Sequence, residues 1–355
     1  MLNIYFEVLV LLLVLSIFQY FKSKQRWPVF IGAIGLALLA GFRRMVGPDT
    51  PVYLQNYMRQ REQKGFSGQF EFGYSHLAGL FSKAGIPPTV FFLVVALLSL
   101  LLIAVFFNEN AEWAMFSLSY YYTRTFFSRD MNQIRQALAT AIVLMSIRFL
   151  KRKEFIRFSA VVILAAQFHV VAYVMFIPYV LINWLGFNRE NLTRYSLWML
   201  GSAFLFSLVA KPALTLFVHL VGRGSSYVDG TITGSALSAL PLVAFQVGIA
   251  ILMLIYNKKS TNYNLLIRIY VIGVSITVAF AQMPTFGTRV SSVLTVVEAV
   301  LFIPAIAVVL GSKFRKIMLP SLVGFIIFMF YMNLIRDGYI EWFLPYGNPM
   351  IFLSN

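Results

Sequence analysis

Four short stretches concentrate the residues that could do chemistry. The first is Gly41-Phe42-Arg43-Arg44-Met45-Val46-Gly47-Pro48-Asp49 with Tyr53 beyond it: two guanidiniums at the end of an apolar run, then a turn that presents a carboxylate. The second runs from Glu71 to Ser82, with Phe70, Tyr74, Leu77 and Phe81 at helical spacing and Glu71, Ser75 and Ser82 on another face. The third is Arg124 followed by Ser128-Arg129-Asp130-Met131-Asn132-Gln133-Ile134-Arg135-Gln136, where Asn132, Arg135 and Gln136 share one face if the segment is helical. The fourth is Phe168-His169 inside an apolar stretch. Arg289 at an expected turn, and Arg223, Tyr227 and Asp229 in a later polar segment, add to these. Guanidiniums grip phosphates and carboxylates with a planar fork. Carboxylates and imidazole can accept a hydroxyl proton. Each stretch also has a purely structural alternative. Arg43 and Arg44 can snorkel with Asp49 as a helix cap, Arg135 can pair with Asp130, and His169 can bond a neighbouring helix.

The elements that must position these groups are membrane spans. Of 355 residues, 59% are hydrophobic and 12% are charged, about half the usual charged share. Apolar runs of bilayer length predict spans near 2–21, 28–42, 87–107, 112–127, 133–150, 155–168, 170–187, 195–210, 238–256, 262–282, 290–310 and 317–334. The count is about 11–12, because 155–168 is short and meets its neighbour at His169. A single helix over 112–150 would be roughly 58 Å long against a core of about 30 Å, so the polar Ser128–Asn132 stretch is a break. Residues 211–222 read as an interfacial helix. Leu2–Phe21 carries Glu7 and lacks a basic start, which favours a retained span over a signal peptide. The expected architecture is an all-α polytopic transmembrane bundle, one membrane domain over 1–355. An outer loop at 43–86 would carry an amphipathic helix lying on the membrane, and 222–237 would form a second outer loop. Glu298 is expected to be buried and paired within its span, and His76 to be interfacial.

Short basic loops set the orientation. Clusters at 22–26, 151–157, 189–194, 258–259 and 313–316 fall on one side, which is then cytoplasmic, with both termini outside. On this topology the outer side holds ten arginines and three lysines, the inner side eight of each. Outer cations run against the positive-inside bias, and the choice of Arg over Lys points to an anionic ligand. The alternative is anchoring to lipid headgroups or pairing with the outer acids.

Several chemistries have no support. There are no cysteines, so disulfides and thiolate sites are out. No phosphate-binding P-loop, nucleophile elbow or HExxH pattern occurs. Histidines at 76, 169 and 219 do not resemble a metal site, and no paired outer acids are spaced to hold a divalent cation. The expectation is no metal, no cofactor and no nucleic acid. Leaving-group charge would be met by arginine.

Taken in order, Gly-x-Arg-x-x-x-Gly-x-Asp-x-x-x-Tyr at 41–53, Glu-x-Gly-Tyr at 71–74, Asn-x-Ile-Arg-Gln at 132–136, Phe-His at 168–169 and Pro345-Tyr346 resemble the EpsG-like branch of the Wzy-type bacterial polysaccharide polymerases. The resemblance runs from about residue 2 to residue 346; Val170 departs from it, since a small polar residue is expected soon after the His. It implies a multi-pass protein of the bacterial plasma membrane with its active site facing the periplasm or exterior. The implied reaction moves a growing glycan from polyprenyl diphosphate to a sugar hydroxyl of a lipid-linked repeat unit. Membrane lipids, a chain-length regulator and a flippase are the implied partners. Arg43, Arg135 and Arg289 are then assigned to diphosphate, with Arg44, Arg124 and Arg129 as weaker candidates. Tyr53, Tyr74, Asn132, Gln136, Arg223 and Tyr227 are assigned to the glycan. His169, lying in apolar surroundings, ranks first as base, ahead of Asp49 and Glu71. The rival readings are a transporter or flippase of an anionic lipid-linked substrate and a membrane O-acyltransferase.

Overall fold

The computed structural model describes residues 3–43, 45–62, 69–188, 190–221, 236–259, 263–311, 316–336, 338–344 and 346. Every regular element among them is helical. The α-helices are α1 (Asn3–Phe21), α2 (Trp27–Gly41), α3 (Thr50–Glu62), α4 (Phe72–Lys83), α5 (Pro88–Asn110), α6 (Ala114–Tyr121), α7 (Ile134–Leu144), α8 (Ile147–Arg152), α9 (Phe155–Ala166), α10 (Phe176–Tyr179), α11 (Leu192–Val221), α12 (Ala236–Lys259), α13 (Asn264–Ala279), α14 (Pro284–Thr295), α15 (Glu298–Leu310) and α16 (Met318–Phe330). Segments Ile4–Phe21, Pro88–Asn110, Leu192–Pro212, Ala239–Asn257 and Met318–Ile335 are long and apolar enough to cross a membrane unaided. Shorter apolar helices cover Trp27–Gly41, Phe155–Ala166, Val170–Trp184 and Asn264–Ala279. This is a polytopic membrane protein of the all-helical class, and every expected span falls on a helix or a broken helix pair.

Three departures matter. The span expected at 290–310 is two helices, α14 and α15, meeting at a 78° bend. Arg289 therefore lies within α14 and not in a turn. The segment 211–222 does not start a separate interfacial helix, because α11 runs through Pro212 to Val221. Glu298, the first residue of α15, accepts a 2.6 Å hydrogen bond from the Tyr270 hydroxyl of α13, so this partner belongs to another helix.

The chain divides into two compact units. One comprises residues 1–149, 155–172 and 316–355, the other 150–154 and 173–315. In the first, α2 packs on α5, α5 on α7, α7 on α9, and α1 on α6. Helices α3 and α4 pack on each other between spans, burying Tyr53, Tyr57, Tyr74 and Ala78 against Phe91, Phe92 and Val95 of α5 and Ile134 and Leu138 of α7. Helix α4, expected to lie on the membrane, thus has one face packed within the unit. Its Tyr74, Ser75, Ala78 and Ser82 are buried, and Ser82 donates to the Tyr57 carbonyl at 2.7 Å, while Phe72 and Leu80 are exposed. In the second unit α13 packs on α11 and α14, and α12 on α13 and α15.

Candidate active site

The first unit brings the four sequence stretches together. The Gly47-Pro48-Asp49 turn is built by contacts on two sides. Gly47 has φ +89°, and a Cβ there would lie 2.6 Å from the Met131 carbonyl, so only glycine fits. Its amide donates to the Trp342 carbonyl at 2.9 Å, tying the turn to the C-terminal 3₁₀ segment Tyr339–Phe343. Tyr5 donates from α1 to the Phe343 carbonyl at 2.7 Å, which fixes that segment in turn. On the other side the Asp49 amide donates to Asn132 Oδ1 at 2.8 Å. The Asp49 carboxylate is half-buried and accepts no hydrogen bond among the described residues.

Asn132 precedes α7, which begins at Ile134, so Asn132, Arg135 and Gln136 do not form one helical face. Their side chains reach three different partners. Gln136 Oε1 accepts from Arg129 at 3.2 Å. Arg135 turns to α4 and forms an ion pair with Glu71, not with Asp130. The Arg135 guanidinium carbon lies 4.1 Å from the Phe70 ring centroid, 5.8 Å from Tyr53 and 6.0 Å from Tyr74, an aromatic cage for a cation. Arg135 and Glu71 keep 18% and 22% of their side-chain surface exposed.

Behind this pair lies a buried cluster. Arg43, 3% exposed, donates Nη1 to the Ala40 carbonyl at 2.6 Å and Nε to Thr50 at 3.4 Å, and sits 5.1 Å from the Phe92 centroid. Its Nη2 has no acceptor among the described residues. Burial pulls the Arg43 guanidinium down to about 10, offset by Tyr74, Tyr53 and Asp130, so it stays charged at neutral pH. Asp130, 2% exposed, accepts from the Tyr121 hydroxyl at 2.7 Å through Oδ2, while Oδ1 has no donor. Burial pushes the Asp130 carboxyl up to about 7 against the lowering influence of Tyr121, Arg43, its own backbone amide and Arg129.

Glu71 also accepts through Oε1 from the Val170 amide at 3.3 Å, reaching the break that follows α9. The start of α4 docks there: Tyr74 donates its amide to the Gln167 carbonyl at 3.2 Å, and a Cβ on Gly73 would come within 2.7 Å of the Gln167 side chain. His169 Nδ1 accepts from the Val171 amide at 3.2 Å. A neutral imidazole with Nδ1 so occupied carries its hydrogen on Nε2 and presents a donor. In that tautomer His169 would act as a donor, and the proton acceptor would come from the carboxylates ranked after it, Asp49 and Glu71.

The match that decides the family is now in context: the EpsG family model covers residues 26–348, spanning all four stretches. The chain belongs to the EpsG family. A curated relative, the amylovoran biosynthesis protein AmsC of Erwinia amylovora, is 26% identical over 298 residues, 77% of this chain and 76% of the relative. No solved structure matches.

For this EpsG-family chain the expected site residues sort unevenly. Arg43, Asp49, Glu71, Arg129, Asn132, Arg135, Gln136 and His169 all fall in the first unit, linked by the contacts above. Arg124 lies half-buried in the π-helical turn Tyr122–Phe126. Arg289 belongs to the second unit. Arg44, Arg223 and Tyr227 lie outside the described residues, as does 222–235 of the second expected loop. The residues assigned to the glycan are mostly buried. Tyr74 is 1% exposed, Tyr53 and Gln136 are buried, and Asn132 Oδ1 accepts from the Asp49 amide, so as they stand these four support the neighbouring charged groups. Sequence reasoning missed three contributors. Phe70 stacks on Arg135; its place beside Glu71 was a usable signal. Tyr121 and Tyr339 gave none. Tyr339 reveals its position electrostatically: burial raises its phenol, Arg129 lowers it and Asp49 raises it again.

Proposed function

We propose that this protein is a polysaccharide polymerase that transfers a growing glycan from polyprenyl diphosphate to a hydroxyl of a lipid-linked repeat unit, on the outer face of the bacterial plasma membrane. The observation that carries the reading is the convergence of Arg43, Arg129 and Arg135 with the unbonded Asp49 carboxylate in one polar cluster of a multi-pass EpsG-family chain. The relative's part in amylovoran biosynthesis agrees with it.

In this mechanism the acceptor hydroxyl oxygen bonds to the donor's anomeric carbon as the bond to diphosphate breaks. The electron pair leaves on the phosphate oxygen, and the hydroxyl proton passes to Asp49. Arg135, the most exposed of the three arginines, contacts the leaving diphosphate, while Arg43 and Arg129 add positive field behind it. Glu71 holds Arg135 in place until an anion competes for it. His169 donates through Nε2 to the bound substrate. No metal is needed in this scheme, because the arginines meet the developing charge. Among the described residues, no group of three or more His, Asp or Glu is placed to hold a metal ion. A chain-length regulator and a flippase are the proposed partners.

Transport is the second reading, favoured by the 78° break between α14 and α15, since broken helices line many transporter sites. Purified protein given a lipid-diphosphate oligosaccharide should build a ladder of longer glycans. Movement of the lipid across vesicle membranes with no ladder would favour transport. Orientation is checked by single cysteines at Asp49 and Lys151 in this cysteine-free chain. An impermeant thiol reagent should label Asp49→Cys in intact cells and not Lys151→Cys.

A further inference from the structure

The buried pair Asp130 and Arg43 has no part in the transfer step above beyond its field, yet both leave a polar atom unmatched. Among the described residues Arg43 Nη2 lacks an acceptor and Asp130 Oδ1 lacks a donor, each buried, while Arg43 Nη1 and Asp130 Oδ2 are hydrogen-bonded. A buried atom without a partner calls for an explanation, and here a guanidinium and a carboxylate that interact electrostatically each have one. We propose that Asp130 is the protonatable partner of the arginine cluster, taking up one proton when a diphosphate binds there and returning it on release. This rests on the reading of the cluster as a diphosphate site.

Several groups face Asp130. From α6 the Tyr121 hydroxyl donates to Oδ2; from the segment after α2 comes Arg43; from its own turn come Arg129 and the backbone amide. All four favour the carboxylate, and burial opposes them, leaving the group balanced at about 7. A bound diphosphate offsets the field of Arg43 and Arg129, which removes part of what keeps Asp130 ionised. The carboxylate then gains a proton from solvent, Asp–COO⁻ plus H⁺ giving Asp–COOH, and the new hydroxyl can donate where Oδ1 had no donor. The positive field of Arg43 and Arg129 then acts on the anion without a competing internal carboxylate. When the transfer adds one negative charge to the leaving diphosphate, the neutral Asp130 avoids repelling it. Asp130 acts through the arginines and is a positioning residue.

The test is calorimetric titration of the purified full chain in nanodiscs with symmetrical dimethyl diphosphate, a diester with no proton of its own to exchange near neutrality. Running it in two buffers of different ionisation enthalpy counts protons taken up on binding. The wild type should take up a fraction of one proton per diester, most at a pH slightly above the free Asp130 midpoint. Asp130→Asn should bind the diester with that uptake abolished. Tyr121→Phe keeps the carboxyl but removes the hydroxyl that favours ionisation, so the pH of greatest uptake should rise. Unchanged uptake in Asp130→Asn, or a fall in that pH for Tyr121→Phe, would overturn the proposal alone. Failure of the wild type to bind the diester would overturn the diphosphate site itself, and this inference with it.

Discussion

The two units of this chain treat buried polarity in opposite ways. The first collects Arg43, Arg129, Asp130, Asn132 and Gln136 below a tenth of their free exposure, where the segments around 43–50 and 129–136 meet. The second buries Glu298 against the Tyr270 hydroxyl, with Thr277 and Ser291 paired hydroxyl to hydroxyl at 2.9 Å on α13 and α14. Its groove of about 480 Å³ between α11 and α13 is lined mainly by apolar side chains such as Met199, Phe206, Ile272 and Phe280. Burying charge is expensive, and a chain that concentrates it in one place while leaving another place apolar has divided its labour. The contrast teaches that the arginines expected on the outer side do not act as a uniform headgroup anchor.

The division can be broken most decisively at Asp49. If its carboxylate takes the hydroxyl proton, Asp49→Asn should lower the rate by roughly 10²–10⁴-fold, read as single-turnover transfer by purified protein. A variant within tenfold of wild type would move the base elsewhere, with Glu71→Gln the next to examine. Arg135→Lys comes second. It keeps the charge but loses the fork, the pairing with Glu71 and the fit over Phe70, so turnover should drop by about 10²–10³-fold. Near-normal polymer length in cells carrying Arg135→Lys would remove the site's main contact.

Much of this architecture is legible in the amino-acid sequence. The order and spacing of the motifs identify the family, and the apolar runs place the helices. Pairings set by local backbone events are not legible there. Asp130 and Arg135, close together in the chain, invite an ion pair, yet the late start of α7 at Ile134 turns Arg135 toward Glu71, 64 positions away. The π-helical turn at Tyr122–Phe126 directly follows Tyr121, the residue that reaches Asp130, and no residue pattern announces such a turn. The α14–α15 bend falls in a run of small and β-branched residues, Ser291 to Val297, with no proline to mark it. Apolar neighbours make His169 look like a neutral base, whereas the amide two residues on decides which ring nitrogen can act.

Smaller effects sharpen the comparison. Gly47→Ala puts a methyl against the Met131 carbonyl in a backbone conformation that alanine resists. It should destabilise the purified protein by about 1–3 kcal/mol, seen as a lower unfolding temperature in detergent, and reduce transfer by displacing Asp49. Glu298→Ala in the second unit leaves the Tyr270 hydroxyl without its carboxylate and should cost about 1–3 kcal/mol of stability. Its transfer rate, corrected for folded protein, should stay within about twofold of wild type, because no more than about 0.4 kcal/mol of transition-state stabilisation is at stake there. A large loss of rate with intact folding would place chemistry in both units and erase the contrast.

The central claim is that the arginine-bearing cluster of the first unit carries glycosyl transfer. It is tested most directly by extending a synthetic lipid-diphosphate oligosaccharide with purified wild type and Arg135→Lys side by side, each shown to be folded and monodisperse. The expected result is a ladder of multiples of the repeat unit for wild type and unextended substrate for the variant. Equal ladders from the two proteins would contradict it.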